Sequence, residues 1–419
     1  MSYRDKHLTM LSARSVVLLA LLLATIGLLP TSASAQATCG RTITADVVAI
    51  DQPYYLNRLG AFNADGQMYV LRSDTVTKTL NAAGTFDPCV LPTGAPNPAC
   101  QQLLPAPAPD LTGAQATPSR NIQLRPDKRP RPIALRMNAG DCIDITYENL
   151  VAPQVPIILV PTVPINPFAA SALIPPPAAP AIIQREDQFV TRANSLHVSG
   201  LQLVSSILDD GSYVGANATS LVCPTLGATD GTCLPGPVHY KLYAEFENTY
   251  LLRDQGSTIG GDGGGGTVTL GLFGGVNVEP SGAEWYRSQA THHEMTLASV
   301  GTHTVGGQPI INYDAVYPCD AVHVAEGKCG IPILKMICDT VTAASTVDGN
   351  DLKCGPLAIG QIAHTDIDAI ITGRNRGLFT VGTHYPSTAV NPRQDKPFRE
   401  LSSFWNDEQT TIQAFPQFF

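Results

Sequence analysis

Glycine and proline recur along this chain and limit the regular structures that it can form. Its 419 residues include 36 glycines and 34 prolines, and neither residue is well accommodated in the interior of a helix. They interrupt the sequence too often for long helices, so short extended segments between turns are favoured. The sequence therefore predicts an all-β protein.

The segments between these interruptions alternate apolar and polar residues, which is typical of half-buried strands. In residues 142–150, for example, Ile143, Ile145 and Tyr147 face one side and polar side chains face the other. The strand candidates in the first part of the chain are residues 43–50, 68–72, 133–137, 142–150, 195–204, 238–246, 249–253 and 272–278. Eight such strands predict a β-sandwich or barrel of Greek-key type.

The beginning of the chain has the features of a secretory signal peptide. Basic residues come first, an uncharged apolar run follows at 16–29, and Ala33 and Ala35 match an A-x-A cleavage site. We therefore predict that residues 1–35 are removed and that the mature protein is secreted or periplasmic. The alternative is an uncleaved N-terminal anchor.

The charge of the chain bears on its partners. The full sequence carries −9, and removal of the signal peptide, which carries +2, leaves −11. An acidic surface disfavours nucleic acid and anionic membranes as partners. We also expect no membrane association after cleavage, because no later segment of the sequence approaches 18 consecutive apolar residues.

All ten cysteines follow the predicted cleavage site, and an exported chain with an even number of cysteines is expected to form disulfides. The spacing suggests four local bridges and one long-range bridge, namely Cys89–Cys100, Cys223–Cys233, Cys319–Cys329, Cys338–Cys354 and Cys39–Cys142. The sequence does not fix this connectivity, and a buried, reduced Cys142 is the alternative for the long-range pair.

The chain also contains a long proline-rich segment, and its later part is predicted to form a second domain. Residues 151–184 contain nine prolines among apolar residues, which excludes a helix or a central strand. This segment is either a loop folded onto its own domain or a contact surface for another domain or subunit. We predict one domain at 36–308 and a second at 309–419. The strand candidates of the second domain are residues 331–339, 368–373 and 398–407.

Several motifs, in a characteristic order, resemble those of multicopper oxidases, which are built from cupredoxin domains. Asn138-Ala-Gly-Asp141 and the strand after it resemble the Gly-Asp … Asn-Leu strand of that family. The next strand of the family normally reads Ser-x-His-x-His-Gly-Leu, and Ser195-Leu-His197-Val-Ser-Gly200-Leu is similar to it. Asp209-Asp-Gly211 matches the Asp-Gly that comes next, and Gly271-Leu-Phe-Gly274 resembles the closing strand.

Two later motifs, Gly282-Ala-Glu-Trp-Tyr-Arg287 and Pro397-Phe-Arg399-Glu400, resemble large bacterial multicopper oxidases of the kind that oxidise Mn(II). The resemblance implies a cupredoxin-like Greek-key β-sandwich followed by a partial second cupredoxin-like domain. It also implies that the assembled or full-length enzyme uses copper to pass electrons from a metal ion or phenol to oxygen. The implied partners are further cupredoxin domains or a copper-bearing subunit.

The copper ligands of the family are missing from this sequence. Multicopper oxidases hold their trinuclear cluster with four His-x-His pairs, but here the first pair is His197 plus Ser199. At the position of the second pair the chain reads Leu252-Arg253-Asp254-Gln255. His197 is the one candidate metal ligand, and a structural, hydrogen-bonded role is favoured because a single imidazole does not hold copper well. We predict no catalytic residue, no cofactor-binding residue and no cofactor in this chain itself.

The other polar clusters in the sequence do not predict a catalytic or metal site. His292-His293-Glu294 and Asp209-Asp210 are each interpreted as solvated turns rather than as a metal site or an acid–base pair. Four further histidines are scattered in loop-like sequence, namely His303, His323, His364 and His384.

Two functions are consistent with these residues. In the first, the chain is the copper-free portion of a secreted multicopper oxidase and supplies scaffold and interdomain surface. In the second, it is a complete secreted binding module that has lost copper and is not an enzyme. In both, the chain is not a self-sufficient oxidase, because the His-x-His ligands are absent from its sequence.

A first testable prediction concerns the second domain. Its three strand candidates would leave a sheet face and an edge uncovered, and residues 415–419 are apolar and aromatic, so we expect the chain to stop inside that domain. Limited proteolysis should cut 310–419 first and leave a resistant core that ends between Pro280 and Pro309. Resistance of 310–419 as a cooperative unit in the isolated monomer would instead indicate a complete two-domain protein.

Overall fold

The computed structural model describes the chain in fourteen stretches. They are residues 38–52, 54–55, 61–63, 66–77, 101–102, 122–125, 127–151, 193–212, 219–224, 233–256, 266–339, 354–379, 395–405 and 412–413. The predicted signal peptide, the Cys89–Cys100 pair and nearly all of 151–184 lie outside the described residues. The predictions for these three segments therefore stay predictions.

Short strands dominate the described residues. They are β1 (Thr42–Asp51), β2 (Tyr54–Tyr55), β3 (Ala61–Asn63), β4 (Gln67–Leu71), β5 (Thr75–Thr77), β6 (Gln101–Gln102), β7 (Ile122–Leu124), β8 (Ile133–Asn138), β9 (Cys142–Asn149), β10 (His197–Val198), β11 (Gln202–Leu203), β12 (Val238–Tyr243), β13 (Asn248–Arg253), β14 (Phe273–Glu279), β15 (Glu284–Arg287), β16 (Ser299–Thr302), β17 (Pro309–Ile311), β18 (Asp368–Thr372), β19 (Phe398–Leu401) and β20 (Ile412–Gln413). The described α-helices are α1 (Gly266–Thr269), α2 (His292–Leu297) and α3 (Ala321–Ala325), and the 3-10 turns are Arg72–Asp74, Ile207–Asp210 and Arg374–Arg376. None of these helices is long and apolar enough to cross a membrane.

Two of the sheets pack face to face and form a β-sandwich. One has the strand order β11–β12–β9–β1–β4 and the other has the order β10–β13–β14–β8. One pair in each sheet is parallel, β1 with β9 and β8 with β14, whereas the other pairs are antiparallel. Neighbouring strands that are distant in the sequence are typical of Greek-key connections. The fold is therefore all-β and contains a Greek-key β-sandwich, as predicted, and the partial second cupredoxin-like domain stays a prediction.

The core of the sandwich lies between these two sheets, and alternate residues of each strand point into it. Val47 of β1 and Tyr147 of β9 belong to the same buried cluster as Leu135 of β8 and Val276 of β14. β1 is buried on its other face too, where Val48 packs with β4, β7 and Leu150 in a separate cluster. Because β1 is buried on both faces, it is apolar at consecutive positions instead of alternating strictly between apolar and polar residues.

Most strand predictions for the first part of the chain are confirmed, with bounds within three residues of those observed. The prediction of one strand at 195–204 is wrong, because β10 and β11 are separated by a turn at Ser199 and Gly200. Gly200 has φ +101°, and a Cβ there would lie 2.8 Å from the Tyr250 ring. Only glycine meets both demands without strain.

In the later part, β18 confirms the strand prediction at 368–373, β19 confirms only the first four residues of the one at 398–407, and the third prediction is wrong. Residues 331–339 form isolated bridges instead of a strand, although nearly all of them are buried. They are apolar because they fill space between other elements, and such a run cannot be distinguished from a strand by sequence alone.

β15 connects the sandwich to the structure that follows it, in a sheet with the order β15–β18–β19. Trp285 packs in the sandwich core and donates from Nε1 to Asn138 Oδ1 at 2.8 Å. Its neighbour Tyr286 points the opposite way, into a second cluster with Tyr317 and Ile333. One strand thus contributes to two cores because successive side chains point to opposite faces. The predicted boundary between 308 and 309 stays a prediction.

Four of the five predicted disulfides are confirmed, namely Cys39–Cys142, Cys223–Cys233, Cys319–Cys329 and Cys338–Cys354. The long-range bridge joins residues separated by 103 positions. It lies where β1 and β9 begin to pair, with Thr42 opposite Cys142. The disulfide therefore holds together the starts of two adjacent central strands.

A second prediction compares the long-range bridge with a local one. Replacing Cys39 and Cys142 with alanine should lower the free energy of unfolding by about 4–5 kcal/mol, because closing a loop of roughly 100 residues restricts the unfolded chain strongly. The matched control, Cys223→Ala with Cys233→Ala, opens a loop of 10 residues and should cost about 2.5–3 kcal/mol. Urea unfolding of both variants measures the difference, and equal losses would contradict the loop-closure explanation.

Candidate functional site

β10 carries the candidate metal ligand, and the structure shows what its side chain contacts. His197 Nδ1 lies 2.6 Å from the carbonyl oxygen of Asp210. Because a carbonyl only accepts hydrogen bonds, Nδ1 is the donor in this contact, and Nε2 is the ring nitrogen left for any metal. The imidazole side chain is 18% exposed. His197 is therefore a largely buried histidine held by the backbone.

The positions of the first two His-x-His pairs meet in the structure. β10 and β13 pair so that His197 is opposite Arg253, and opposite residues of an antiparallel pair share a face. Ser199 donates its backbone N–H to the Leu251 carbonyl at 2.9 Å. A guanidinium keeps its proton and offers no lone pair to a metal, and its positive charge opposes a bound cation. These residues do not fit a copper site.

A buried carboxylate fixes these two strands to each other. Asp254 Oδ1 accepts hydrogen bonds from the backbone N–H groups of Ser195 at 2.7 Å and Gly256 at 2.9 Å. Its Oδ2 accepts from the hydroxyl of Thr267. Asp254 lies in the four-residue stretch where the resembled family has its second ligand pair, and both of its carboxylate oxygens accept hydrogen bonds from the protein. In the part of the chain that the structure describes, no group of three or more His, Cys, Asp or Glu side chains could hold a metal ion.

The Asp209-Asp210 pair was interpreted from sequence as a solvated turn, and for Asp209 this is wrong. Asp209 is buried, and its carboxylate accepts from the backbone N–H groups of Ser205 at 2.6 Å and Lys241 at 3.1 Å. Gly211 ends the turn with φ +67°, where a Cβ would lie 2.5 Å from the Leu196 carbonyl oxygen. The Asp-Gly motif therefore fastens a 3-10 turn beneath β10.

A separate cleft of about 910 Å³ lies between the sandwich and the segment after β15. Residues 73–74, 125 and 127–131 form one wall, and residues 287–294, 317–331 and 363–367 contribute to the other. Its lining is rich in charged side chains of both signs, together with three histidines. Such a size suits a small-molecule ligand.

Charges on the sandwich side of the cleft neutralise one another. Asp74 lies 3.0 Å from Lys128 Nζ and 3.4 Å from an Arg125 guanidinium nitrogen. Burial raises the pKa of the Asp74 carboxyl, but these two cations outweigh burial and hold it below its ordinary value. Arg125 also forms a two-pronged pair with Asp127 at 2.7 and 3.2 Å. Asp74, Arg125, Asp127 and Lys128 therefore form a network of ion pairs in this wall.

Arg287 organises the opposite side. Its Nε donates to Asp366 at 3.0 Å and its Nη1 donates to Glu294 at 2.8 Å, while Tyr317 donates its hydroxyl to the same Glu294 oxygen. Burial alone would raise the pKa values of both carboxyls. The Arg287 guanidinium outweighs burial and lowers the pKa of Glu294 to about 2 and that of Asp366 to about 2.

The sequence His292-His293-Glu294 begins a helix, and its interpretation as a turn is wrong. Thr291 and Glu294 form a reciprocal capping box, in which the Thr291 N–H donates to Glu294 Oε2 at 2.6 Å. Glu294 therefore caps α2 while it pairs with Arg287. The pattern Thr-x-x-Glu was the sequence signal for this helix start.

His364 forms part of the cleft lining and is 5% exposed. Its Nε2 donates to the Pro332 carbonyl oxygen at 2.6 Å, and its Nδ1 is buried without a hydrogen-bond partner. Burial lowers the pKa of His364, and the nearby Arg287 and Lys128 charges lower it further, to about 3. The ring is therefore neutral at physiological pH, and Nδ1 is a hydrogen-bond acceptor.

The sequence singles out His197 as a candidate ligand, but it does not reveal this cleft. Its residues come from segments that are distant in the chain, and His323 and His364 were scattered by sequence position. The basic run Arg125-Pro-Asp-Lys-Arg-Pro-Arg131 was the one local signal. A basic run alone is more typical of a solvated face, so it does not identify a pocket.

No protein-family model and no curated protein matches this sequence. Among solved structures, the chain is similar to a multicopper oxidase from Pseudomonas thermotolerans, at 11% identity and a TM-score of 0.24, over 57% of this chain and 30% of that chain. It is similar to a second multicopper oxidase, at 15% identity and a TM-score of 0.25, over 57% and 44% of the two chains. It is also similar to a blue copper oxidase from Nitrosomonas europaea, at 10% identity and a TM-score of 0.24, over 57% of this chain and 40% of that chain. The match thus spans less than half of each solved chain.

A third prediction follows from the Arg287 network. The pKa of Glu294 is lowered from 4.5 to about 2 on folding, so its ionised form stabilises the folded state above pH 4.5. This stabilisation is lost as the pH falls through about 2. Glu294→Gln should destabilise the protein at pH 7 by roughly 1–3 kcal/mol, because Arg287 and Tyr317 lose a charged partner.

The difference between the wild type and Glu294→Gln should shrink between pH 5 and pH 2, and chemical unfolding at several pH values measures it. Glu245→Gln is the matched control, since Glu245 is an exposed carboxylate outside the cleft. Glu245→Gln should change the free energy of unfolding by no more than about 0.5 kcal/mol. A Glu294→Gln difference that is independent of pH would contradict the ion-pair explanation.

Proposed function

We propose that this chain is the secreted, copper-free, cupredoxin-like portion of a multicopper oxidase, and that it acts as scaffold for copper-bearing domains or a copper-bearing subunit. The observation that carries the proposal is the pairing of His197 with Arg253 across β10 and β13. On the family resemblance, His197 belongs to the first ligand pair, and the second pair belongs in residues 252–255, which include Arg253. A fixed positive charge beside a lone imidazole leaves the cupredoxin fold without its copper chemistry.

The reaction assigned to the assembled enzyme comes from the resemblance. Copper in the partner domains would carry electrons from a metal ion or a phenol to oxygen. No residue of this chain takes part in that transfer under the proposal. Export is supported by the predicted signal peptide and by the four described disulfides, which are stable in oxidising compartments.

The scaffold role is supported by the outer strand of the sheet β15–β18–β19. β19 pairs with β18 on one side and is the last strand of its sheet in the described residues. Leu401 at its end is 74% exposed, and Trp405 just beyond it is 91% exposed. Exposed apolar side chains beside a strand edge are typical of a surface that contacts another domain.

The second candidate function is a secreted, non-enzymatic binding module. The charged cleft favours it, because a cleft of about 910 Å³ is large enough for a small ligand. Coding sequence beyond Phe419 with His-x-His pairs would support the first function. A secreted, folded product that ends at Phe419 and binds a ligand would support the second.

A fourth prediction tests the copper-free assignment. The purified mature chain should retain less than about one copper per molecule after dialysis, because a single imidazole does not hold copper well. It should also lack the blue absorption band of a thiolate–copper site. Elemental analysis and visible spectroscopy measure both quantities.

The matched variant carries Ser199→His and Arg253→His. It removes the cation and adds two imidazoles around His197, so it should retain more copper than the wild type. Stoichiometric copper in the wild-type chain, together with oxidase activity, would overturn the proposed function.

A further inference from the structure

The inner charges of the cleft are satisfied by each other, which limits what they can offer to a ligand. Asp74 is paired with Arg125 and Lys128, and Arg287 is shared by Asp366 and Glu294. These pairs hold their side chains in place. Ligand recognition must therefore come from groups with hydrogen-bonding capacity left over.

Three basic residues that are nearly consecutive line one rim of the cleft and have such capacity. Arg131 lies 3.5 Å from Gln289 Oε1 and 3.7 Å from Asp366 Oδ1, both long contacts for a guanidinium. Arg129 is exposed and lines the cleft. Lys128 uses one of its three N–H donors on Asp74. The rim therefore presents unused N–H donors with positive charge.

His364 supplies the opposite kind of group. Its Nδ1 is an acceptor that lacks a partner among the protein atoms, although it belongs to a side chain that is 5% exposed. A buried polar atom without a partner is rare and costs free energy unless a bound molecule satisfies it. The neutral state of the ring, with its pKa lowered to about 3, keeps Nδ1 available as an acceptor.

We infer that this cleft binds a small hydroxylated organic anion of the sugar-acid class. Its carboxylate pairs with the rim cations Arg129, Arg131 and Lys128, and one of its hydroxyls donates to His364 Nδ1. The paired carboxylates of Asp366 and Glu294 have further lone pairs that accept other hydroxyls of the ligand. This site does not involve the candidate copper ligands. The protein would bind the ligand under either of the two proposed functions.

The same groups exclude simpler ligands. A metal cation would meet the basic rim, and an anion without an O–H group would leave His364 Nδ1 unsatisfied. A neutral sugar would leave the rim charges unused. Because Nδ1 is covered by its neighbours, a ligand hydroxyl contacts it only when a covering side chain moves aside.

The proposal is tested on the mature protein by calorimetric titration with four probes. D-glucuronate carries both a carboxylate and hydroxyls, D-glucose carries hydroxyls alone, acetate carries a carboxylate alone, and inorganic phosphate is a compact anion. We expect D-glucuronate to bind at least about tenfold more tightly than each of the other three, as expected when a charged or polar contact is lost. Equal binding of acetate or phosphate, or no binding of D-glucuronate, would overturn the proposal.

Two variants assign the binding to the cleft. Arg131→Gln should weaken D-glucuronate binding at least about fivefold, because it removes a charged donor from a partly exposed position. His364→Phe should weaken D-glucuronate while leaving acetate unchanged, provided that circular dichroism shows a folded variant. If His364→Phe does not fold, the Arg131→Gln result decides.

Arg374→Gln is the matched control, because Arg374 is an exposed arginine outside the cleft lining. It should leave D-glucuronate binding unchanged. Equal weakening by Arg374→Gln and Arg131→Gln would show that the ligand responds to overall charge, and this result would overturn the proposed site.

Discussion

The buried guanidinium of Arg136 joins the sandwich to two later segments, at residues 366–367 and at Glu400. Its side chain is 2% exposed on β8, and its Nη1 donates to the Asp366 carbonyl oxygen while its Nη2 donates to the Ile367 carbonyl oxygen at 3.2 Å and to Glu400. Because a guanidinium presents five donors in a rigid plane, one side chain can orient two separate segments. The position of Asp366 in the cleft therefore depends on a residue in the core of the sandwich.

Burying this cation requires compensating negative charge, and the chain provides a carboxyl pair. Burial raises the pKa of Glu279 well above its ordinary value, and the neighbouring Glu400 raises it further, so the neutral form of Glu279 is favoured. Glu400 stays ionised beside Arg136, with Asn277 donating to the same carboxylate oxygen. One net negative charge thus matches one buried positive charge, which is what a low-dielectric interior demands. β19 is fixed to the sandwich through this pair.

The strand that packs into the sandwich core therefore also positions the charged side chains of the cleft. Trp285 anchors β15 in the sandwich core, and Arg287, two residues later on the same strand, lies at the centre of the cleft's ion pairs. In contrast, His197 and Arg253 lie on the β10–β13 pair, where Asp254 fixes the backbone. The molecule therefore carries two distinct polar regions, one that corresponds to a copper position by resemblance and one that no local motif predicted.

By itself, the sequence determined the features that depend on near neighbours in the chain. Alternation predicted strands such as β9 and β12, and the even count and spacing of cysteines predicted four bridges that the structure contains. Only the tertiary structure decided that 331–339 fills a core without forming a strand, that Asp209 is buried, and that His364 meets Arg287. The physical reason is that burial and ion pairing depend on which distant segments come together, and short-range patterns carry no information about those contacts.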